Sequence, residues 1–206
     1  MEAGVMGRYG RPLDRSFYSR QPDVVAPELL GKLIVRRLGE ALLACRLVEA
    51  EAYFGECDPA SRASRGPGGR IARALRGPVG VLLVYPVHNR WMVNVVAHEQ
   101  GMSGAVLFRS CYPVEGMELM AVNRGVNAVD WRLISMGPGR LSQALAITGE
   151  DDGLPVYDPS SSIAIVDDGY RPARVERGPR IGVSEDLELP LRFVDPLFNV
   201  KPPIRR

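Results

Sequence analysis

The chain has 206 residues, 46% hydrophobic and 24% charged, which suffices for one or two domains with their own core and excludes wholesale disorder or a fibrous rod. Its longest apolar run, Gly80 to Val87, is far short of the roughly 20 residues that cross a bilayer, so no integral membrane helix is expected. Net charge is only +2, from 26 basic and 24 acidic residues, at most a weak hint of a polyanionic partner.

The lead to Gln21 is polar and dotted with arginine, and reads as an N-terminal extension over 1–21 before a domain over 22–206. Asp23 caps a predicted short helix to about Leu30, stopped by Gly31, and a strand follows over 32–38. The stretch 41–54 is the most informative strand. Period-two alternation there puts Val48, Ala50, Ala52 and Phe54 on a core face, with Leu47, Glu49, Glu51 and Tyr53 opposite. Residues 55–80 show little apolar periodicity and read as a long loop rich in Gly, Pro and Arg. Strands over 81–87 and 90–97 are joined by a tight turn at His88-Asn89, and Pro86 needs an edge or a bulge. A further strand is expected over 105–111, a helix from Pro113 to about Arg124, and a second helix over 141–148 behind Gly137-Pro138-Gly139-Arg140. Then come a short strand (163–166), an Asp168-Gly169 turn and a last strand (191–194). The pattern predicts one α+β domain on a curled antiparallel sheet flanked by helices.

Cys45, Cys57 and Cys111 are too few and too irregular for a disulfide scaffold, and His88 and His98 complete no zinc spacing, so no metal is expected. The first residues lack the apolar stretch of a secretory signal, and a reducing cytoplasm is the expected compartment, at the nucleoid in a prokaryote.

Three groups of residues carry possible chemistry. Glu51 must meet solvent in a cleft or pair with a cation, because burying a lone carboxylate is costly; both a salt-bridged structural role and a general base remain open. Tyr53 shares its face, and Asn94 and Arg109 fall on neighbouring strands. Arg62, Arg65, Arg70, Arg73 and Arg76 recur in the loop with almost no nearby acid, either simply solvated or forming a phosphate-contact surface. Gly137 to Arg140 ahead of a helix suits a phosphate, although any capped helix reads this way. Only Lys32 and Lys201 are lysines. Genome composition or growth at high temperature would give the same excess of arginine, which forks phosphates but cannot form a Schiff base.

The blocks at 29–36, 48–55 (Val-Glu-Ala-Glu-Ala-Tyr-Phe-Gly), 58–61, 64–66, 91–95, 105–109, 113–116, 137–147 (Gly-Pro-Gly-Arg-Leu-Ser-Gln-Ala-Leu-Ala-Ile), 157–159 and 178–183 together resemble the alkyladenine (3-methyladenine, methylpurine) DNA glycosylase family, in its order and over about residues 22–195. That resemblance implies a monofunctional hydrolase of base excision repair, on a domain like the C-terminal domain of formyltransferases. It would act as a monomer without a cofactor on duplex DNA, flipping out alkylated or deaminated purines such as 3-methyladenine, 7-methylguanine and hypoxanthine. Carried over, Glu51 activates the attacking water, Arg109 lies beside it, Tyr53 and Tyr85 sandwich the base, and Asn94 screens against guanine. Tyrosine faces would replace the lost stacking and attract a cationic base. DNA contacts are expected from Arg65, Arg70, Arg73, Arg76, Arg140 and His88.

Two positions depart from the family pattern. Arg62 stands where a histidine is usual, which raises the expectation that neutral lesions are handled relatively better. His88, in a turn one residue shorter, stands in place of the intercalating tyrosine, as a wedge or merely as a turn residue. The competing readings are a catalytically silent nucleic-acid-binding module and a nucleotide- or tRNA-processing enzyme on a similar sheet. The lysine shortage favours water attack over lyase chemistry.

Overall fold

The computed structural model describes residues 8–66, 68–127 and 130–200. Its elements in chain order are β1 (Arg11–Pro12), α1 (Pro22–Leu29), β2 (Leu33–Leu38), β3 (Ala41–Tyr53), α2 (Arg70–Leu75), β4 (Leu82–Val87), β5 (Arg90–Val96) and β6 (Ala105–Glu115). After these come α3 (Met117–Arg124), α4 (Trp131–Ser135), α5 (Pro138–Ala144), β7 (Ile163–Asp167), β8 (Glu176–Gly178) and β9 (Arg192–Val194). Every pairing is antiparallel, in the order β1-β7-β2-β3-β6-β5-β4, with β9 beside both β3 and β8. The sheet curls around one main core; α1 lies on β3, and α5 lies on β5 and β6 with α3 and α4 against it. This is the expected α+β domain on a curled antiparallel sheet.

The strand β3 organises the rest. Its 13 residues contain no Gly or Pro, and it runs beside β6 along nearly its whole length. On its other edge Ala41 to Arg46 pair with β2, but Glu49 to Glu51 pair with β9. Between the two halves the register with β6 shifts around Val48, which has no partner there. Such a bulge bends a strand and changes which residues face inward. Leu43, Cys45 and Leu47 join the main core before it, and Ala50 and Ala52 after it. Leu47, expected beside the acids, is therefore a core residue. Glu49, Glu51 and Tyr53 do share a face, as the alternation predicted.

Several boundaries differ from the sequence reading. Pro113 opens no helix: it continues β6 opposite Cys45, at another register irregularity where a missing N–H is tolerated, and α3 begins only at Met117. Gly139 and Arg140 lie inside α5, with Pro138 at its first position and Gly137 (φ 101°) before it. The 55–80 loop contains α2, whose Ala72 and Leu75 are buried. The short elements β1, α4 and β8 have no clear periodicity, which explains why pattern alone misses them. In the lead, β1 pairs with β7, and Tyr18 is wholly buried in the main core. His88 (φ 46°) and Asn89 (φ 60°) form the expected two-residue turn, and Pro86 lies on the edge strand β4.

Cys45 on β3 and Cys111 on β6 form a disulfide, while Cys57 is free and exposed. The sequence spacing gave no sign that the first two face each other across paired strands.

Candidate active site

Beyond the bulge, Glu49 and Glu51 on β3 project toward Arg109 and Ser110 of β6, and β9 brings in Arg192. Glu51 is wholly buried. Its carboxylate accepts the Tyr53 hydroxyl at 2.9 Å and the Ile181 N–H at 2.8 Å, and Arg109 Nη1 lies 3.2 Å from both of its oxygens. Of the two routes open to this residue in the sequence, the structure takes pairing with a cation. Burial pushes the carboxyl above the usual carboxylate range, against the opposing pull of Arg109 and the two other donors.

Arg109 is itself held from behind. Its Nε donates to Glu49 at 3.1 Å, and Glu49 also accepts Arg192 Nε at 2.6 Å and the Ser110 hydroxyl. The Gly137 N–H donates to Ser110 Oγ at 3.1 Å, which joins this network to the start of α5. Glu49 thus neutralises part of the Arg109 and Arg192 charge.

Above the cluster opens a cavity of about 340 Å³, lined among others by Tyr53, Arg62, Arg65, Tyr85, Asn94 and Arg109. That volume lies at the small end of the range for ligand pockets, roughly 300–1,000 Å³. Tyr85, from edge strand β4, faces it beside Asn94 of β5, whose amide donates to the Leu83 carbonyl at 3.0 Å. The Arg62 guanidinium sits 5.5 Å from the centre of the Tyr85 ring. Burial pushes the phenols of Tyr53 and Tyr85 up, so both stay neutral and keep their O–H donors.

Tyr53 is backed by a residue the motifs did not single out. Arg180 stacks 4.4 Å from its ring centre, wholly buried, and forks Asp58 at 2.6 and 2.7 Å while its Nε donates to Asp186 at 2.9 Å. This ties the 55–66 segment to the 178–186 segment across the cavity floor. Gly55 (φ 70°) permits the turn that starts the first segment; a Cβ there would overlap the Ser103 side chain at 2.0 Å. Arg180, Asp58, Glu49 and Ile181 were not singled out as a unit, although the 178–183 block contains Arg180 and Ile181, the 58–61 block Asp58 and the 48–55 block Glu49.

The loop arginines are less free than their spacing suggested. Arg70 pairs with Asp152 and Arg76 with Glu56, acids distant or outside the arginine run, and Arg73 donates to the Gly68 carbonyl. Arg65 donates to Ser184 Oγ at 2.9 Å. Arg62, Arg65 and Arg70 still border a groove running out from the cavity, and His88 stands at the cavity mouth. Arg140 donates to the Arg132 carbonyl at 2.9 Å and lies, with Arg90, close enough to Arg124 to hold that guanidinium below its ordinary range, although burial contributes more. These three form a second basic patch around α3 and α5.

Residues 16–197 match the methylpurine-DNA glycosylase family. A protein of Aeropyrum pernix named "Putative 3-methyladenine DNA glycosylase" is 52% identical over 186 residues, 89% of each chain. Proteins of the same printed name from Koribacter versatilis and Rhodopirellula baltica are 44% and 39% identical, covering 89% and 88% of this chain and 89% and 78% of their own.

Proposed function

This chain belongs to the methylpurine-DNA glycosylase family, and on that premise we propose that it turns a damaged purine out of duplex DNA into the Tyr53–Tyr85 cavity and hydrolyses its N-glycosidic bond with water activated by Glu51. Family membership makes it a DNA glycosylase; the lesion, the base flipping and the residue roles are the proposal. The observation that carries it is a buried carboxylate, pushed up by its surroundings and braced by Arg109, beneath a cavity walled by two neutral tyrosines.

A carboxylate has about four lone-pair positions. Tyr53, Arg109 and Ile181 occupy three, leaving one for a water. In the reaction the C1′–N9 electron pair leaves with the base, water oxygen bonds to C1′, and the water proton passes to Glu51. The positive character that develops at the sugar is opposed by the same carboxylate. Tyr53 and Tyr85 replace the stacking lost on flipping, and the Asn94 amide, fixed by the Leu83 carbonyl, limits what the base edge can carry.

Hydrolysis without strand cleavage is part of the same proposal. Lys32 pairs with Asp167 at 2.9 Å on the β2–β7 side of the sheet, and its amine is buried there rather than offered to the cavity. Lys201 lies outside the described residues.

The test uses duplexes with one defined lesion each, followed by alkaline cleavage at abasic sites. Wild type releases an alkylated or deaminated purine, and Glu51→Gln abolishes release while retaining binding to lesion DNA. Binding without release by the wild type would instead identify a silent binding module. Strand cleavage without alkali would refute the monofunctional reading.

A further inference from the structure

Where β3 meets β6 below the cavity, the ladder is reduced to an isolated rung. Val48 of β3 has no partner in the register, Glu49 stands opposite Ser110, and Arg109 of β6 again has none on β3. Neighbouring residues of a regular strand face opposite sides. Here Phe108 and Cys111 both join the main core, and Arg109 and Ser110 between them both turn toward Glu49. The side chains of the rung are themselves hydrogen-bonded.

The bonds on Glu49 are unevenly divided. Arg109 and Arg192 both donate to Oε1, at 3.1 and 2.6 Å, whereas Oε2 has the Ser110 hydroxyl as its one donor among the described residues. A hydroxyl carries one proton and two lone pairs. The Gly137 N–H fills one of those lone pairs at 3.1 Å, and Met136 is bridged to Ser110, so the segment entering α5 holds the oxygen while its proton goes to Glu49. Ser110 is wholly buried and Glu49 nearly so, which strengthens the bond and makes an unpaired Oε2 costly.

We infer that Ser110 is a positioning residue for the reaction: its hydroxyl stops the Glu49 carboxylate from turning, and Glu49 in turn aims the Arg109 guanidinium at Glu51. The inference rests on the glycosylase reading above. A carboxylate held through Oε1 alone turns about its last bond, and the Nε of Arg109 then loses a fixed acceptor. Arg109 Nη1 lies 3.2 Å from both oxygens of Glu51, the long end of the range for such bonds, so a small rotation of the guanidinium breaks the contact. Glu51 then keeps only its neutral donors, Tyr53 and the Ile181 N–H, and loses the cation that orients it. Ser110 does not line the cavity, so its effect falls on the chemical step and not on the grip on DNA. Misplacement of about 1 Å costs up to about 100-fold in such a step.

The experiment measures single-turnover release, with enzyme in excess, of the damaged base that the wild type releases fastest. It compares wild type, Ser110→Ala, Glu49→Gln and the double variant, and measures lesion-DNA affinity for each. Rates are referred to the fraction of each protein that binds lesion DNA, which removes any loss of folded protein from the comparison. Ser110→Ala should lower the rate about tenfold and leave affinity within about twofold. In the Glu49→Gln background it should cost less than about threefold more, because the bond it removes ends on Glu49. A Ser110→Ala rate within about twofold of wild type, an affinity loss as large as the rate loss, or losses that multiply in the double variant would each overturn the inference. Release by the wild type upholds the glycosylase reading in all three cases, and its failure to release any base counts against that reading instead.

Discussion

The Cys45–Cys111 bridge supports the strongest quantitative prediction about stability. The two cysteines are 66 residues apart and join β3 to β6 beside the bulge that presents Glu49 and Glu51. Closing a loop of that length in the unfolded chain is worth about 4 kcal/mol on the chain-entropy account. Both residues are fully buried, and as free thiols they would still fill the same space, so reduction adds little cavity cost. For a domain of this size each kcal/mol moves the melting temperature by about 2–4 °C, so reduction should lower it by about 10–15 °C. Thermal unfolding with and without reductant measures the difference, and a Cys45→Ala/Cys111→Ala protein should melt at one temperature in both. Thiol titration in denaturant should find one reactive group, Cys57, before reduction and three afterwards. Equal melting temperatures, or three thiols without reductant, would refute the bridge as a stabilising element.

Other predictions concern the site. Burial raises the Glu51 pKa, and a general base works only when ionised. Single-turnover release of a neutral base should therefore increase with pH through a midpoint above the usual carboxylate range, and a midpoint near an ordinary glutamate value would show that Glu51 is not the base. Glu49→Gln should lower the chemical rate about tenfold or more, because Arg109 would lose one of the groups that position it, and shift that midpoint downward, because the Glu49 charge beside Glu51 helps to raise its pKa; lesion-DNA affinity should change little. An unchanged midpoint would make Glu49 merely structural. Arg180→Leu leaves Asp58 buried and unpaired and should cost about 3–5 kcal/mol in denaturant unfolding, whereas a loss under about 1 kcal/mol would mean the clamp is dispensable. Arg65→Ala should weaken binding to undamaged duplex and reduce the salt slope by about one, and an unchanged slope would place Arg65 off the phosphates.

Local pattern carries some of this fold and fails at identifiable places. The alternation in 41–54 determined that Glu49, Glu51 and Tyr53 share a face, and His88-Asn89 determined a hairpin, because side-chain period and turn geometry are local. The helix expected from Pro113 failed for the opposite reason. Its register against Cys45 is a long-range pairing, and a β-bulge accommodates the proline there. Leu47 went to the core because the bulge at Val48, set by β6 and β9 together, reverses the facing of the strand midway.

The same division holds for the site. Composition gave an arginine excess with almost no lysine and strand alternation picked out Glu51 beside Tyr53, whereas Tyr85 was named only through the resemblance to the family. Only the tertiary structure decided that Arg109 braces Glu51, that Glu49 and Arg192 brace Arg109, and that Arg180 backs Tyr53. It also decided that Asp152 and Glu56 neutralise part of the arginine run while Arg62 stays over Tyr85. Those outcomes depend on pairs of residues tens to more than a hundred positions apart. Charge and aromaticity are properties of a residue, whereas burial and pairing belong to the packed chain.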